Sequence, residues 1–495
     1  MTTPNGFPSV VNGQAFKLDD GMVVSPQAFR QALLHAVGDG QRLSMLFGQR
    51  WGASVRLYAV LADDAQHQLS VLATDVTDSF RSLTPDCPQA HLFEREVYEQ
   101  LGVTPKGHPW LKAVRVHDFE EGEAHPKHPF FHMVGTELHE VAVGPVHAGV
   151  IEPGHFRFQC QGEVVHHLEI HLGYQHRGVE EALPGGPHKR TMVQMETVAG
   201  DTSIGHGTAY CQALEGLAGI EAPPRAQAIR AIALELERLA NHVGDMGALA
   251  NDVGFLPTAS YCGRLRGDFL NMTGVICGSR LGRGLVRPGG VAFDIDDSMR
   301  DDLLGRLERA RRDVRSAIAL FFETRSVMGR LEGTGPVKRE DCIELGFVGP
   351  TARACGLDRD VRADHPFGWY RHAIMPVRTF DTCDVLARAR VRALEIEASM
   401  AFVEEQLKRL PPGPVRQPCP PPAPGSMVVS LVEGWRGEVA HAVITGDDGR
   451  FARYKIKDPS FHNWMALALS LRGQQISDFP LCNKSFNLSY CGFDL

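Results

Sequence analysis

Apolar positions follow two rhythms along the chain. In roughly the first hundred residues, short apolar runs alternate with polar turns, as in residues 54–62 (SVRLYAVLA) and 68–73 (QLSVLA), the mark of strands in a small α/β unit. Farther on the period lengthens. Pro223 and Pro224 mark a helix start, because proline in the first turn sacrifices no hydrogen bond. Ile229, Ile232, Ala233, Leu236, Leu239, Ala240 and Val243 then recur at helical spacing on one face. Leu303, Leu307, Val314, Ala317 and Phe321 predict a second long helix. A third begins after Asp384, a good cap, and runs through Val391, Leu394 and Met400 to Leu410, where Pro411 and Pro412 stop it. Long helices with one apolar stripe pack as a bundle.

Eight prolines lie between Pro411 and Pro424, an extended connector that cannot join a helix. Beyond it, residues 427–432, 439–445 and 451–456 alternate around Gly446-Asp447-Asp448-Gly449, a hairpin signal. Residues 462–471 return to a helical pattern. The Pro- and His-rich segment HPKHPFFH places a boundary near residue 130. The pattern predicts an α+β protein, with a small N-terminal α/β domain over 1–130 and a mainly helical domain with β elements over 131–495.

Composition narrows the function. A chain of 495 residues is too long for one ordinary core. With 43% apolar and 22% charged residues it reads as globular, and no apolar run is long enough to span a bilayer. The start of the chain lacks the basic and apolar regions of a signal peptide, which predicts a cytoplasmic location. A net charge of −8 argues against nucleic acid as a partner. Eleven cysteines, an odd number with no C-x-x-C, argue for free thiols and against an iron–sulfur cluster or Cys-rich zinc site in this chain. Electron-carrying metal centres would therefore belong to a partner chain. Walker, dinucleotide-binding, nucleophile-elbow and H-E-x-x-H signatures are absent.

Thirteen of the 22 histidines fall between His108 and His188. On a strand, His167, Glu169 and His171 would share a face, but the spacing matches no standard zinc motif, and hydrogen-bonded or surface histidines are the expectation. In His176-Arg177-Gly178-Val179-Glu180 a permanent cation lies three residues from a carboxylate. Glu180 buried near a reactive centre would relay protons, whereas an Arg177–Glu180 ion pair would be structural. Arg353 and Arg362 carry the same two readings, an anion anchor or a tie between loops.

Together these motifs resemble a known family. FEREVYEQLGVTPKGHPWLKAVRV is similar to the signature of the C-type domain of respiratory complex I. GPVHAGVIEPGHFRF, GYQHRGVE, RAQAIRAIALELERLANHVGDMG, GPTARACGLDRDVRADHPF, GWRGEVAHAVITGDDGR and KDPSFHNW resemble, in order, landmarks of the D-type subunits of complex I and of the large subunits of formate hydrogenlyase and other energy-converting nickel–iron hydrogenases. The resemblance covers nearly the whole chain. It implies a complex I C-type domain followed by a domain like the hydrogenase large subunits and their D-type relatives.

In the hydrogenases two C-x-x-C pairs hold the nickel–iron centre. Aligning on His206 and Tyr210 puts Ala199 and Thr202 at the first pair, and Ser489 and Gly492 stand at the second. Soft thiolate ligands cannot be replaced by these residues, so the resemblance implies a relative without a nickel–iron centre. In the complex I branch a loop histidine and a tyrosine flank a quinone, and an aspartate supports the histidine. Asp252 matches the aspartate, His147 and His155 are the histidine candidates, and Gln194 lies near the tyrosine position. The expectation is an emptied metal cavity lined by residues 176–180 and 199–206, Arg353 and residues 489–492. Glu180, Arg177, Asp252 and Arg353 would work there, with His147, His155, His176 and His206 around an acceptor such as quinone. The implied partners are a small [4Fe–4S] subunit similar to the B-type subunit of complex I, a ferredoxin-like subunit and antiporter-like membrane subunits on the inner face of the cell membrane. The competing reading is a silent scaffold.

Overall fold

The structure is a computed structural model that describes residues 8–18, 22–115, 128–147 and 151–495. Val116 at the end of the C-type motif, residues 125–127 of HPKHPFFH, residues 148–150 of GPVHAGVIEPGHFRF and the first seven residues of the N-terminal reading lie outside the described residues.

The alternating runs near the N-terminus form the antiparallel strands Arg42–Trp51, Ser54–Asp63 and Gln68–Val76. Ser9–Val10 pairs antiparallel and Val23–Val24 parallel with the last of them. These strands are buried on both faces, because the helix Pro26–Gly38 packs on the sheet and the strand Phe451–Lys457 of the second domain lies against Arg42–Trp51. Ser25 caps that helix by accepting from the Ala28 N–H. His91–Leu101, which holds the first part of the C-type motif, packs on Arg42–Trp51.

The second domain is organised by one long helix, Pro224–Asp252, with Pro223 as its N-cap and Pro224 in the first turn. It is buried nearly all round, against Leu256–Cys277 and Val385–Lys408. Asp297–Glu323 buries Leu303, Leu307, Val314, Ala317 and Phe321 as its stripe predicts. Val385–Lys408 starts where Asp384 accepts from the Ala387 N–H, and it ends before the proline segment. Leu394 is exposed on this helix rather than part of its buried face.

The hairpin appears as Ser426–Gly434, Gly437–Thr445 and Phe451–Lys457 in an antiparallel sheet, with Gly449 at φ 75° in the second turn. Its inner face rests on the helix Ser203–Ala218. Its fourth strand is Ala15–Lys17, which leaves the N-terminal domain and pairs with Ser426–Gly434. A second antiparallel sheet, Leu138–Val143, His155–Gln161 and Val164–His171, carries the His-rich stretch.

The two domains also share buried ion pairs. Lys455 lies between Glu96 and Glu180, at 2.6 and 2.8 Å, and Arg115 holds Glu96 at 2.8 Å. Arg42 and Lys457 converge on Glu438. Removing one partner from such a buried set strands a charge at a cost of about 3–5 kcal/mol, so these contacts tie the halves together.

Candidate functional site

Two chain segments that the sequence analysis pairs meet in the structure. The turn before the helix Ser203–Ala218 supplies Ala199 and Thr202, and the C-terminal turn supplies Ser489 and Gly492. All four are buried. Arg436, on the turn between Ser426–Gly434 and Gly437–Thr445, bridges the segments. It donates to Asp201 Oδ1 at 2.7 Å and Oδ2 at 2.8 Å, to Thr202 Oγ1 at 3.5 Å and to the Asn487 carbonyl. Its guanidinium stacks 3.8 Å from the Trp435 ring centroid. Arg177 makes a second bridge, donating to the carbonyls of Thr197, Val198 and Cys491.

The donor set does not fit a soft metal centre. It offers a methyl group, two hydroxyls and no side chain at all, whereas such a centre needs thiolates. Ser489 Oγ is committed to the Gly492 N–H at 2.9 Å, capping the last helical turn. Space is also lacking: a Cβ at Gly492 would lie 2.7 Å from Asp458 Cγ and 2.8 Å from its Oδ2. An aspartate carboxylate therefore occupies the room that a side chain at 492 would need.

Asp458 begins a buried chain of hydrogen bonds. Its Oδ2 lies 3.2 Å from His206 Nε2, His206 Nδ1 lies 3.0 Å from His441 Nε2, and His441 Nδ1 lies 2.8 Å from the Tyr454 hydroxyl. All four side chains are shut off from solvent. Burial raises the Tyr454 phenol well above its usual range, and burial together with His206 holds His441 well below its own. For Asp458 burial works upward, but the hydrogen bond of His206, with the Arg436 charge, more than offsets it and keeps the carboxyl below the usual range. When each ring carries one proton, one arrangement puts a single proton in each bond. Tyr454 donates to His441, His441 to His206 and His206 to Asp458. Tyr454 and His441 thus fix the tautomer that His206 presents to Asp458.

The other predicted residues are distributed differently. Glu180 is buried and pairs with Lys455 at 2.8 Å and Arg453 at 3.1 Å and accepts from the Ile456 N–H, all within the second domain. Arg177 does not pair with it. Arg353 is fully enclosed, with Nε 2.8 Å from Glu395 and Nη1 2.8 Å from Glu433. It ties together the bundle and the sheet. Arg362 likewise joins Asp360 to Glu235. Asp252 ends the helix Pro224–Asp252 on the surface and bonds neither His147 nor His155. Gln194 lies in the short helix Thr191–Met195, apart from these histidines in the hydrogen-bond network. His176 follows Gly173 in a turn, its N–H donating to that carbonyl at 3.1 Å.

His147 and His155 flank one turn. His155 Nδ1 lies 3.2 Å from the Gly144 carbonyl, and a Cβ at Gly144 would meet the His147 ring. Both nitrogens of His147 and Nε2 of His155 have no hydrogen-bond partner among the described residues. Burial holds both rings below the usual histidine range. This turn abuts the C-terminal segment, since Gly154 packs against the Tyr490 ring. On the strand Val164–His171, Glu169 is taken by Lys112, His128 and the Phe131 N–H, and His171 stacks on His128. Among the described residues no group of three or more His, Cys, Asp or Glu side chains is arranged to hold a metal.

Sequence reasoning missed Asp458, His441 and Tyr454. His441 lies on Gly437–Thr445, whereas Tyr454 and Asp458 lie four residues apart on and just after Phe451–Lys457, and no standard motif joins the three. Asp458 sits in KDPSFHNW, and the usable signal there was a carboxylate two residues before Ser460, whose N–H it accepts at 2.8 Å.

Comparison with known proteins covers both domains. The family described as "Respiratory-chain NADH dehydrogenase, 30 Kd subunit" matches residues 22–136, and "Respiratory-chain NADH dehydrogenase, 49 Kd subunit" matches 252–424 and 420–494. Formate hydrogenlyase subunit 5 of Escherichia coli is 29% identical over 98% of this chain and 90% of its own length. The carbon monoxide-induced hydrogenase of Rhodospirillum rubrum is 32% identical over 70% of this chain and 96% of its own. NADH-quinone oxidoreductase subunit 4 of Thermus thermophilus is 30% identical over 69% and 90%. The fold is shared with a chain of the membrane-bound sulfane sulfur reductase, an archaeal respiratory membrane complex, at a TM-score of 0.69 and 24% identity over 74% of this chain and 100% of that one.

Proposed function

The chain belongs to the family of complex I-related hydrogenase and NADH–quinone oxidoreductase subunits, with a 30 kDa-type domain fused to a 49 kDa-type domain, and we propose that it is the large subunit of a membrane-associated oxidoreductase. It passes electrons from a partner [4Fe–4S] subunit to an acceptor without a nickel–iron centre of its own. A ferredoxin-like subunit and antiporter-like membrane subunits complete the assembly. No helix of the described residues is long and apolar enough to cross a membrane, so those partners would hold the chain at the inner face.

The observation that carries this reading is the convergence of Ala199, Thr202, Ser489 and Gly492 on the buried Asp458–His206 pair. A site stripped of sulfur but rebuilt around hydrogen-bonded acids and bases suits chemistry in which protons follow electrons. Quinone is the acceptor of choice, because its two carbonyl oxygens must be hydrogen-bonded and then protonated as electrons arrive. The unpartnered nitrogens of His147 and His155 offer such contacts beside Tyr490. In the test, the purified complex is reduced and its cluster reoxidised by a soluble quinone. His147→Gln and His155→Gln should slow that step by on the order of tenfold or more, since loss of a positioned proton-transfer group commonly costs at least that much.

The scaffold reading draws on the ion pairing of Glu180 and Arg353, two predicted working groups that instead hold the fold. It would be favoured if variants at His147, His155 and His206 all assembled and turned over like the wild type.

A further inference from the structure

Many buried carboxylates of this protein are matched by cations, whereas Glu94, Asp384 and Asp494 are held by neutral hydrogen bonds. Glu96, Glu180, Glu235, Glu395 and Glu438 each lie within ion-pair distance of an arginine or lysine. Glu237 belongs to the second group. It sits on the helix Pro224–Asp252, and its carboxylate accepts only backbone N–H groups, from Ile204 at 2.7 Å and Gly205 at 3.1 Å. Among the described residues no cation lies within ion-pair distance of it.

Glu237 walls a cavity of about 10 Å³, close to the least space one water needs. Asp201, Asn241, Thr273, Arg266 and Arg280 share the wall, and Arg280 is exposed to solvent. The cavity adjoins a former ligand position, since a Cβ at Gly205 would touch both Thr202 Cγ2, at 2.8 Å, and Glu237 Oε1, at 3.5 Å. Two carboxylates therefore border the same small space in opposite environments. Asp201 is clamped by Arg436. Glu237 faces Asp201 across the cavity, and Arg238 beside it on the same helix is turned to Glu235, Glu395 and the Glu433 and Gly434 carbonyls.

We propose that Glu237 is the proton-exchange residue through which protons pass between solvent and the Asp201–Thr202 side of the site. This rests on the oxidoreductase reading and extends it. A proton leaves the Glu237 carboxyl for a cavity water, the water passes one to the Asp201 carboxylate, and Glu237 is reloaded from solvent past Arg280. No electron moves in these steps, and one proton is delivered per cycle. Separating the proton affinities of two neighbouring carboxyls is a general way to build a donor and an acceptor. Burial drives the Glu237 carboxyl up to about 8, the backbone N–H groups of Ile204 and Gly205 oppose the rise, and the nearby Asp201 charge adds to it.

The experiment compares wild type, Glu237→Gln and Glu237→Asp. Turnover with soluble quinone is followed across pH in the whole complex, and infrared titration of the full chain follows the protonated-carboxyl band. Glu237→Gln should assemble, lose turnover on the order of 100-fold and lack one carboxyl band that titrates above neutrality in the wild type. Glu237→Asp should restore part of the turnover with a shifted pH profile. Wild-type turnover and pH profile in Glu237→Gln, or no difference band between it and wild type, would overturn the proposal. If the wild-type complex reduces no acceptor but the band is present and lost in Glu237→Gln, the oxidoreductase reading fails while the exchangeable carboxyl stands.

Discussion

Two clusters of buried charge lie on either side of the strand Ser426–Gly434, and they have opposite characters. Around Arg353, the carboxylates Glu395, Glu433 and Asp360 are matched by Arg353, Arg362 and Arg238. Around Thr202, charges are sparse and unevenly matched: Asp201 has Arg436, Asp458 has a histidine, and Glu237 has no cation among the described residues. Both clusters shift proton affinities, so a shifted affinity alone does not identify a working site. What separates them is compensation. The matched network serves as a structural tie even though burial and Asp360 push its Glu433 up to about 7, whereas the other holds a buried carboxylate with no ion pair to break.

Breaking the saturated cluster should have the largest effect. Arg353→Met leaves Glu395 and Glu433 buried with less countercharge, and a loss of about 3–5 kcal/mol is expected. Thermal unfolding should show a chain that melts far below wild type or fails to assemble. Equal stability would remove the distinction between the clusters.

Gly492→Cys comes next. Its Cβ would run into the Asp458 carboxylate at 2.7–2.8 Å, and overpacking of this kind costs about 1–3 kcal/mol. Ser489→Cys loses only the cap, about 1 kcal/mol. Denaturant melts that rank the two in the opposite order would show that the site has not closed around Asp458.

The third prediction concerns pH. Glu237 binds its proton more tightly in the folded chain, with its affinity moved from 4.5 to about 8. Its contribution to stability is therefore lost as pH rises through that window. Glu237→Gln should gain stability relative to wild type between those values and keep the gain above them. Asp458 has the opposite sign. Its folded affinity is depressed, so its contribution is held above the usual aspartate range and lost in acid, and Asp458→Asn should flatten the acid limb of the stability curve. Parallel pH profiles for wild type and variants would contradict both.

The last prediction concerns Tyr454→Phe, which removes one donor and leaves His441 Nδ1 unmatched in the interior, at a cost of about 1–3 kcal/mol. Its specific readout is the His206 ring-nitrogen NMR signal, whose proton should lose its fixed preference for Nε2. An unchanged tautomer would show that the Tyr454–His441 arm does not position His206.

These contrasts also explain what the sequence revealed. Long helices with a clear stripe, such as Asp297–Glu323, and the hairpin around Gly449 were legible because local period and turn chemistry agree with the fold. Leu256–Cys277 was not, since it is packed between two other helices and has little one-sided pattern. Ala15–Lys17 is too short to carry a period and finds its partner more than 400 residues away. At the site, Ala199, Thr202, Ser489 and Gly492 could be located by resemblance. The roles of Glu180 and Arg353 could not, because buried partners such as Lys455 and Glu433 lie far off in sequence. Glu237 was hidden in LELERL, which reads like a helix with a solvated edge.

The central claim is that this site handles protons for an acceptor and needs no nickel. The most direct test is the rate at which quinone reoxidises the reduced [4Fe–4S] cluster in nickel-free purified complex, followed by electron paramagnetic resonance. The account predicts reoxidation in wild type that slows on the order of tenfold or more in His147→Gln. A cluster that stays reduced in the presence of quinone, or that reoxidises only after nickel is supplied, would contradict it.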